Sequence, residues 1–501
     1  YPYYDFNGAR LTHIGMYCHE YAHLLGATHH SSGAARWSIM GNGQKNSAGG
    51  GSFGNCPASV NPWLRYTWGW LRKNSIAGNV TESLVYGDTL SNNFVWGVAS
   101  DTFLVENRQF TQGFDRGLPG HDTYQNGGLL IWRITGTGSG GSGIDLIEAD
   151  GITGESGFVA DDIFRPTGTY PYTTISDYSS PANLKINAST FSHFAVDDYA
   201  QNASTIIVDF ITNYWSGAIT SNTTWTAANS PYYIGGDITV ESGITLTIES
   251  GATVNFIAGQ DDQSGGKYSN LSEIIVNGTL DADNVTFSSQ RGGTYKGDWG
   301  GIWLNEASNS SLTDCTLKNG HYPLWIEDCS PLIDGNSISH ASGTGIVVKG
   351  SSADPVITDN IITTVNNIGI TVVYSANPDI YGNTINSPNR AALYFNESAA
   401  GHAWDNDLST EYTEYVYCYA NSGNPVIAGD INQSQNGNDI HNVPNKTGTV
   451  FRVSGGYPYI GFTYYSTNLG NNGLDVDQGS TGYYVRNYTG TQIQAQNNSW
   501  G

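Results

Sequence analysis

The chain has 501 residues, 63 of them glycine, with 12% aromatics and only 13% charged residues, against about 25% charged in an average globular protein. Twenty Lys+Arg stand against 44 Asp+Glu, a net charge of −24, which excludes nucleic acid as a main partner, disfavours anionic membrane surfaces and suits a secreted protein or one that holds cations. The aromatic content excludes disorder, the Gly/Asn/Ser/Thr-rich polar half favours strands and turns, and no run approaches the ~18 apolar residues of a membrane span.

The start, Tyr1-Pro2-Tyr3-Tyr4-Asp5, has no basic or apolar leader, so secretion has to be argued from other features. The first predicted element is a helix over 12–27. Thr12 is its expected cap, Ile14, Cys18, Tyr21, Ala22 and Leu25 recur at helical spacing, and Gly26 stops it. Within it lies His19-Glu20-Tyr21-Ala22-His23. Two histidines four apart stand one above the other on a helix face, where both imidazoles reach one metal ion. Glu20, on the same helix, reaches a water held by that metal. Gly26 lets the chain turn so that His29 returns as a third ligand, leaving the open position that catalytic zinc requires. Ser38-Ile39-Met40-Gly41 follows and places one of only two methionines in a tight turn, the remaining part of the metzincin pattern. Among the five cysteines, Cys18 with Cys56 is the one pairing worth considering.

Further blocks follow in order. They are Asn61-Pro62-Trp63-Leu64 leading to Trp68-Gly69-Trp70-Leu71, then Val105-Glu106-Asn107-Arg108-Gln109, Gly113-Phe114-Asp115 and Leu118-Pro119-Gly120. Gly128-Leu129-Leu130-Ile131-Trp132-Arg133 and Ile147-Glu148-Ala149-Asp150-Gly151 complete the series. With the zinc motif ahead of them, residues 12–210 resemble the immune-inhibitor-A family of secreted metallopeptidases. That family commonly has Asp at the place of His29, with His30 the next candidate in this chain. The resemblance implies a secreted zinc endopeptidase acting on protein or peptide. In it His19, His23 and His29 hold zinc, Glu20 moves the protons, and Met40 is a structural floor. Metzincin domains place a twisted sheet before the zinc helix, and only 18 residues precede His19, so the chain is expected to start inside its catalytic domain.

Residues 76–210 read as strands, at Phe103-Leu104-Val105, Leu129-Leu130-Ile131-Trp132 and Ile206-Ile207-Val208. Acidic groups gather at Asp145, Glu148, Asp150, Asp161 and Asp162. Carboxylates at short, irregular spacing in a glycine-rich loop suit calcium, with Asp150, Asp161 and Asp162 as the candidate ligands.

Residues 215–501 carry a repeat. Asn336-Ser337-Ile338, Asn360-Ile361-Ile362, Asn383-Thr384-Ile385 and Asn406-Asp407-Leu408 are spaced by 24, 23 and 23. Ile346, Ile370, Leu393 and Val416 keep the same spacing, and Pro331, Pro355 and Pro378 keep the same register. A leucine-rich repeat needs a leucine consensus, whereas Ile, Val and Asn dominate here, so a right-handed parallel β-helix is expected, with Asn as a turn ladder. Tyr232–Val240, 246–248, 251–254 and 300–303 read as its opening coils. Its 495–501 end resembles a coil boundary more than a terminus.

The expected class is mainly β: the C-terminal part of a metzincin-like α+β domain with a β-rich extension, then a right-handed parallel β-helix. The expected boundaries are 1–75, 76–214 and 215–501. The expected function is a secreted zinc-dependent endopeptidase with a β-helix stalk or binding module, able to touch polysaccharide. The alternative is an extracellular structural or adhesive protein that self-associates through the β-helix.

Overall fold

The structure is a computed structural model. It describes residues 14–29, 37–46, 54, 56–76, 78–86, 93–98, 101–110, 116–118, 127–135, 143–152, 162–167, 171–172, 174–177, 179–180, 182–185, 192–202 and 204–410 apart from 308, 387 and 388. Beyond 410 it describes segments 414–418, 425–427, 438–442, 449–453, 459–460, 473–475, 483–487, 494–495 and 499–500. The chain divides into two compact units, Tyr1–Tyr214 and Trp215–Gly501.

In the first unit α1 spans Ile14–Leu24. Its end is a Schellman motif: Ala27 N–H donates to Ala22 O, Gly26 N–H donates to His23 O, and Gly26 has φ +89°. The helix buries Gly15, His19 and Ala22. A Cβ at Gly15 would lie 2.1 Å from Gln44 O, so only glycine lets the helix come this close. Of the apolar residues whose spacing is noted in the sequence, Ala22 is buried and Cys18 packs against the same core, while Ile14 and Tyr21 are exposed. Among the described residues Ile14, Tyr17, Tyr21 and Leu24 are exposed along α1, beside an apolar hollow of about 520 Å³ lined in part by Cys18, Ala22, Leu25 and Trp68. The expected Thr12 cap lies outside the described residues. Helix α2 (Pro62–Thr67) starts on Asn61, whose Oδ1 accepts from Leu64 N–H, with proline at the first helical position.

The strands are β1 (Lys73–Ser75), β2 (Val80–Leu84), β3 (Asn93–Val98), β4 (Asp101–Arg108), β5 (Gly128–Thr135), β6 (Ile144–Ile147), β7 (Phe194–Asn202) and β8 (Thr205–Thr212). They form one sheet in the order β1-β3-β4-β5-β6 and a second in the order β2-β8-β7. Alternation along β4 and β5 separates two cores. Phe103, Val105, Leu129 and Ile131 join the three-stranded sheet, while Leu104, Leu130, Trp132 and Ile134 join Ala22, Ile39, Met40 and Leu64. Residues on either side of position 75 therefore share their packing. Glu106, fully buried on β4, ties α2 to this sheet through Arg65 (2.8 Å), Arg108 (2.9 Å) and Trp132 Nε1 (2.8 Å).

The second unit is a parallel β-helix. Among the described residues one parallel sheet has eleven strands, and the remaining strands stack coil on coil to form the other faces. The expected tracks stack in register: Ile346 on Ile370, Ile370 on Leu393, Leu393 on Val416, and Ile338 on Ile362 on Ile385 on Leu408. Asn336, Asn360, Asn383, Asn406 and Asn438 form a buried ladder. Each of the first four donates from both its backbone N–H and its Nδ2 to Oδ1 of the next, at 2.8–3.2 Å. Cys18 and Cys56 do not pair; both are free thiols.

Candidate metal centre

Three imidazoles converge at the end of α1. His23 Nε2 lies 3.2 Å from His19 Nε2, and His29 Nε2 lies 3.1 Å from the same atom. Sequence spacing explains the first pair, because i and i+4 share a helix face. His29 joins them because the Schellman turn at Gly26 reverses the chain three residues earlier.

The other ring nitrogens of His19 and His23 are held by the backbone. His19 Nδ1 is 2.7 Å from Ile39 O and His23 Nδ1 is 2.8 Å from Ala27 O. A carbonyl only accepts, so in the neutral imidazoles both Nδ1 atoms carry the proton and both Nε2 atoms present lone pairs. Two lone pairs 3.2 Å apart repel unless a cation lies between them. Tetrahedral zinc with Zn–N bonds of about 2.0–2.1 Å brings its ligand nitrogens to much the same separation. The donor set therefore fits a zinc ion. Burial pushes the His19 imidazole below the ordinary histidine range; His23 and His29 beside it push the same way, and the Ile39 carbonyl and Glu20 oppose.

Ile39 belongs to the turn 38–41, closed by Gly41 N–H donating to Ser38 O at 3.0 Å. Met40 is fully buried in the core that also holds Ala22. The turn that holds Met40 thus meets the histidine cluster through the carbonyl of Ile39, a contact that no motif encodes. Glu20 follows His19 on α1 and is exposed. His30 lies outside the described residues.

The acidic region is brought together differently from its expected form. Glu148, Asp150 and Asp162, all buried, place one carboxylate oxygen each within 4.8 Å of one another. Asp161 lies outside the described residues. Glu148 takes a place in the group because it follows β6 directly, and Asp162 reaches it because Ala149 N–H donates to Asp162 O at 2.9 Å. Trp37 Nε1 donates to Asp162 Oδ2 at 2.6 Å. Asp145 stands outside this group, on β6 opposite Arg133.

Two features of the β-helix went unread in the sequence. Asp237 and Glu273 are buried carboxyls whose oxygens both approach the point where a Cβ on Gly266 would lie, Oε2 of Glu273 at 1.9 Å and Oδ2 of Asp237 at 3.0 Å. Trp303 and Trp325 face outward in register on adjacent strands. The second carried a signal: each tryptophan sits between two aliphatics that point inward, as Ile302-Trp303-Leu304 and Leu324-Trp325-Ile326.

Residues 300–489 match the family model described as a right handed beta helix region, and residues 217–316 match the one described as a pectate-lyase like beta helix domain. The second unit is a right-handed β-helix. That β-helix resembles the crystal structure of the periplasmic alginate epimerase AlgG, at 12% identity over 53% of this chain and 82% of that one, with a TM-score of 0.28. A single-site variant of the same epimerase aligns at 10% identity over 56% and 77%, with a TM-score of 0.25. At this level of similarity neither enzyme's chemistry transfers to this chain. No curated protein matches it.

Proposed function

We propose that the first unit carries a zinc-dependent endopeptidase site, with the right-handed β-helix as its stalk or binding module. One observation carries the reading: Nε2 of His23 and Nε2 of His29 lie 3.2 and 3.1 Å from Nε2 of His19 while carbonyls hold Nδ1 of His19 and His23. Zinc at such a site supplies a Lewis acid with an open position. Ile39 O and Ala27 O keep His19 and His23 in one tautomer and orientation, the role backbone carbonyls play behind metal-binding histidines. The exposed carboxylate of Glu20 would take the proton of the water that attacks the carbonyl carbon and pass it to the leaving amine as the C–N bond breaks. Met40 does no chemistry and keeps the turn that presents Ile39 O in place. Glu148, Asp150 and Asp162 belong to the same reading as a calcium site, since hard cations take several carboxylate oxygens. A location outside the cell agrees with the charge of −24.

Glu20→Ala in the full-length protein should keep its zinc by elemental analysis and lose peptide cleavage by about 100-fold or more. His23→Ala should lose the zinc as well. Cleavage that survives in Glu20→Ala removes that residue from the role.

A further inference from the structure

The carbonyl behind His19 has to be held in place in its turn. In the turn 38–41, Gly41 N–H and Gly43 N–H both donate to Ser38 O, at 3.0 and 3.1 Å, and Ile39 N–H donates to Ser59 O at 3.2 Å. These bonds shape the turn and leave Ile39 O facing His19 Nδ1 at 2.7 Å. Trp37 stands just ahead of it. Its side chain is fully buried in the core that also holds Ala22, Ile39 and Met40, with its ring centre 6.5 Å from that of Phe110. A buried indole N–H needs an acceptor. Trp37 Nε1 donates to Asp162 Oδ2 at 2.6 Å, a bond between residues 125 positions apart.

Asp162 is a fixed anchor for that bond. It is buried, its backbone O accepts from Ala149 N–H at 2.9 Å, and its carboxylate lies among those of Glu148 and Asp150. A carboxylate accepting from N–H makes a short bond, about twice as strong as one between neutral groups. In a close-packed core the indole has little room to tilt without moving its own main chain, and Ile39 is two residues on. The path runs from Asp162 Oδ2 to Trp37 Nε1, through the turn to Ile39 O, and on to His19 Nδ1. Trp132 supplies the comparison. It lies in the same core, and its Nε1 donates to the buried Glu106 Oε1 at 2.8 Å. Glu106 pairs with Arg65 and Arg108, neither of them in the turn. Losing that bond costs the core much the same and leaves Ile39 O where it is.

We propose that Asp162 is a positioning residue for the histidine cluster: through the Trp37 indole it fixes the turn whose Ile39 carbonyl orients His19, a role that rests on the zinc reading of the first unit. The test is zinc affinity of the full chain, measured by competition with a chromophoric chelator, on variants whose circular dichroism spectrum is unchanged. Trp37→Phe, which keeps a ring and removes the donor, and Asp162→Ala, which removes the acceptor, should each weaken zinc binding about tenfold or more, the usual effect of losing a partner behind a metal-binding histidine. Asp162→Asn keeps an acceptor oxygen and should stay within about threefold of the native chain. Trp132→Phe should melt earlier and bind zinc as the native chain does. A second readout needs no metal: in the metal-free chain the Nδ1 proton of His19, assigned by its loss in His19→Ala, should exchange slowly in the native protein and in Trp132→Phe, and fast in Trp37→Phe and Asp162→Ala. The proposal is overturned if Trp37→Phe or Asp162→Ala binds zinc like the native chain, if Trp132→Phe loses as much, or if Asp162→Asn falls as far as Asp162→Ala. Should Trp37→Phe fail to fold, the two Asp162 variants decide. A native chain that binds no zinc removes the zinc reading instead, and the Nδ1 proton then decides alone: equal exchange in the native chain, Trp37→Phe and Asp162→Ala overturns the positioning role.

Discussion

Asn383 shows what one residue does at a corner of the solenoid. Its Nδ2 donates to Ile357 O, Tyr381 O and Asn406 Oδ1, and its Oδ1 accepts from the backbone and side-chain amides of Asn360. Few side chains offer two donors and an acceptor on so short a stem. Truncation leaves several buried polar groups without partners, each at about 1–3 kcal/mol. Asn383→Ala should therefore destabilise the β-helix by about 3–5 kcal/mol in denaturant unfolding. A loss well under 1 kcal/mol would mean that water replaces the ladder. The recurrence of asparagine was legible in the sequence because the coils from Asn336 to Asn406 share one corner, whereas earlier coils place Cys315 and Val285 there. His19 is the opposite case. Its place in the motif was plain, but the carbonyl that orients it comes from Ile39, twenty residues on, and backbone carbonyls leave no mark in a sequence.

At the scale of elements, the loop ahead of strand Glu273–Val276 is seated on two buried carboxyls. Asp237 is pushed up to about 7 by burial and then by Asp261. Glu273 is also pushed up to about 7, first by burial, with Asp237 and Asp261 adding and the Lys267 amide and ammonium opposing. Below the ordinary carboxylate range both groups are protonated in the folded and unfolded chains alike, and the pair imposes no ionisation cost. As pH rises toward 7 the unfolded chain ionises first and stability falls, levelling off above 7. Both groups are partly open to solvent, which screens the effect, so the loss amounts to about 2–4 kcal/mol for the pair. Asp237→Asn keeps an acceptor for Glu273 N–H and should flatten the decline of β-helix melting temperature between pH 5 and 8. Parallel pH profiles for the two chains would remove the pair from this role. The sequence hid the pair because 36 residues separate its members and both read as ordinary polar positions on strands.

At the scale of the whole molecule, the two units have separate hydrophobic cores. Stability in a stacked solenoid comes from coil-on-coil contacts, whereas the first unit closes its sheets with long-range contacts and loops. An ion held by Glu148, Asp150 and Asp162 should therefore stabilise the first unit alone. A strong calcium chelator should lower its melting transition by several degrees and leave that of the β-helix unchanged, and Asp162→Asn should reproduce the shift without chelator. A first transition that does not move would leave the three carboxylates without a calcium role.

What the sequence determined by itself follows from periodicity. Between Asn336 and Asn406 the coils repeat every 23 or 24 residues because each turn lays its aliphatics and its corner asparagine on those of the previous turn, so there register is written as spacing, while the other described coils differ in length. The histidine spacing is legible for the same reason, since a helix face has its own period. Tertiary structure alone decided what meets across the period. It brought Glu148 and Asp162 together, set Ile39 O behind His19, closed Gly266 over Asp237 and Glu273, and laid Lys267 on two outward tryptophans. These contacts join residues from different elements at no fixed interval, and only the path of the folded backbone brings them together.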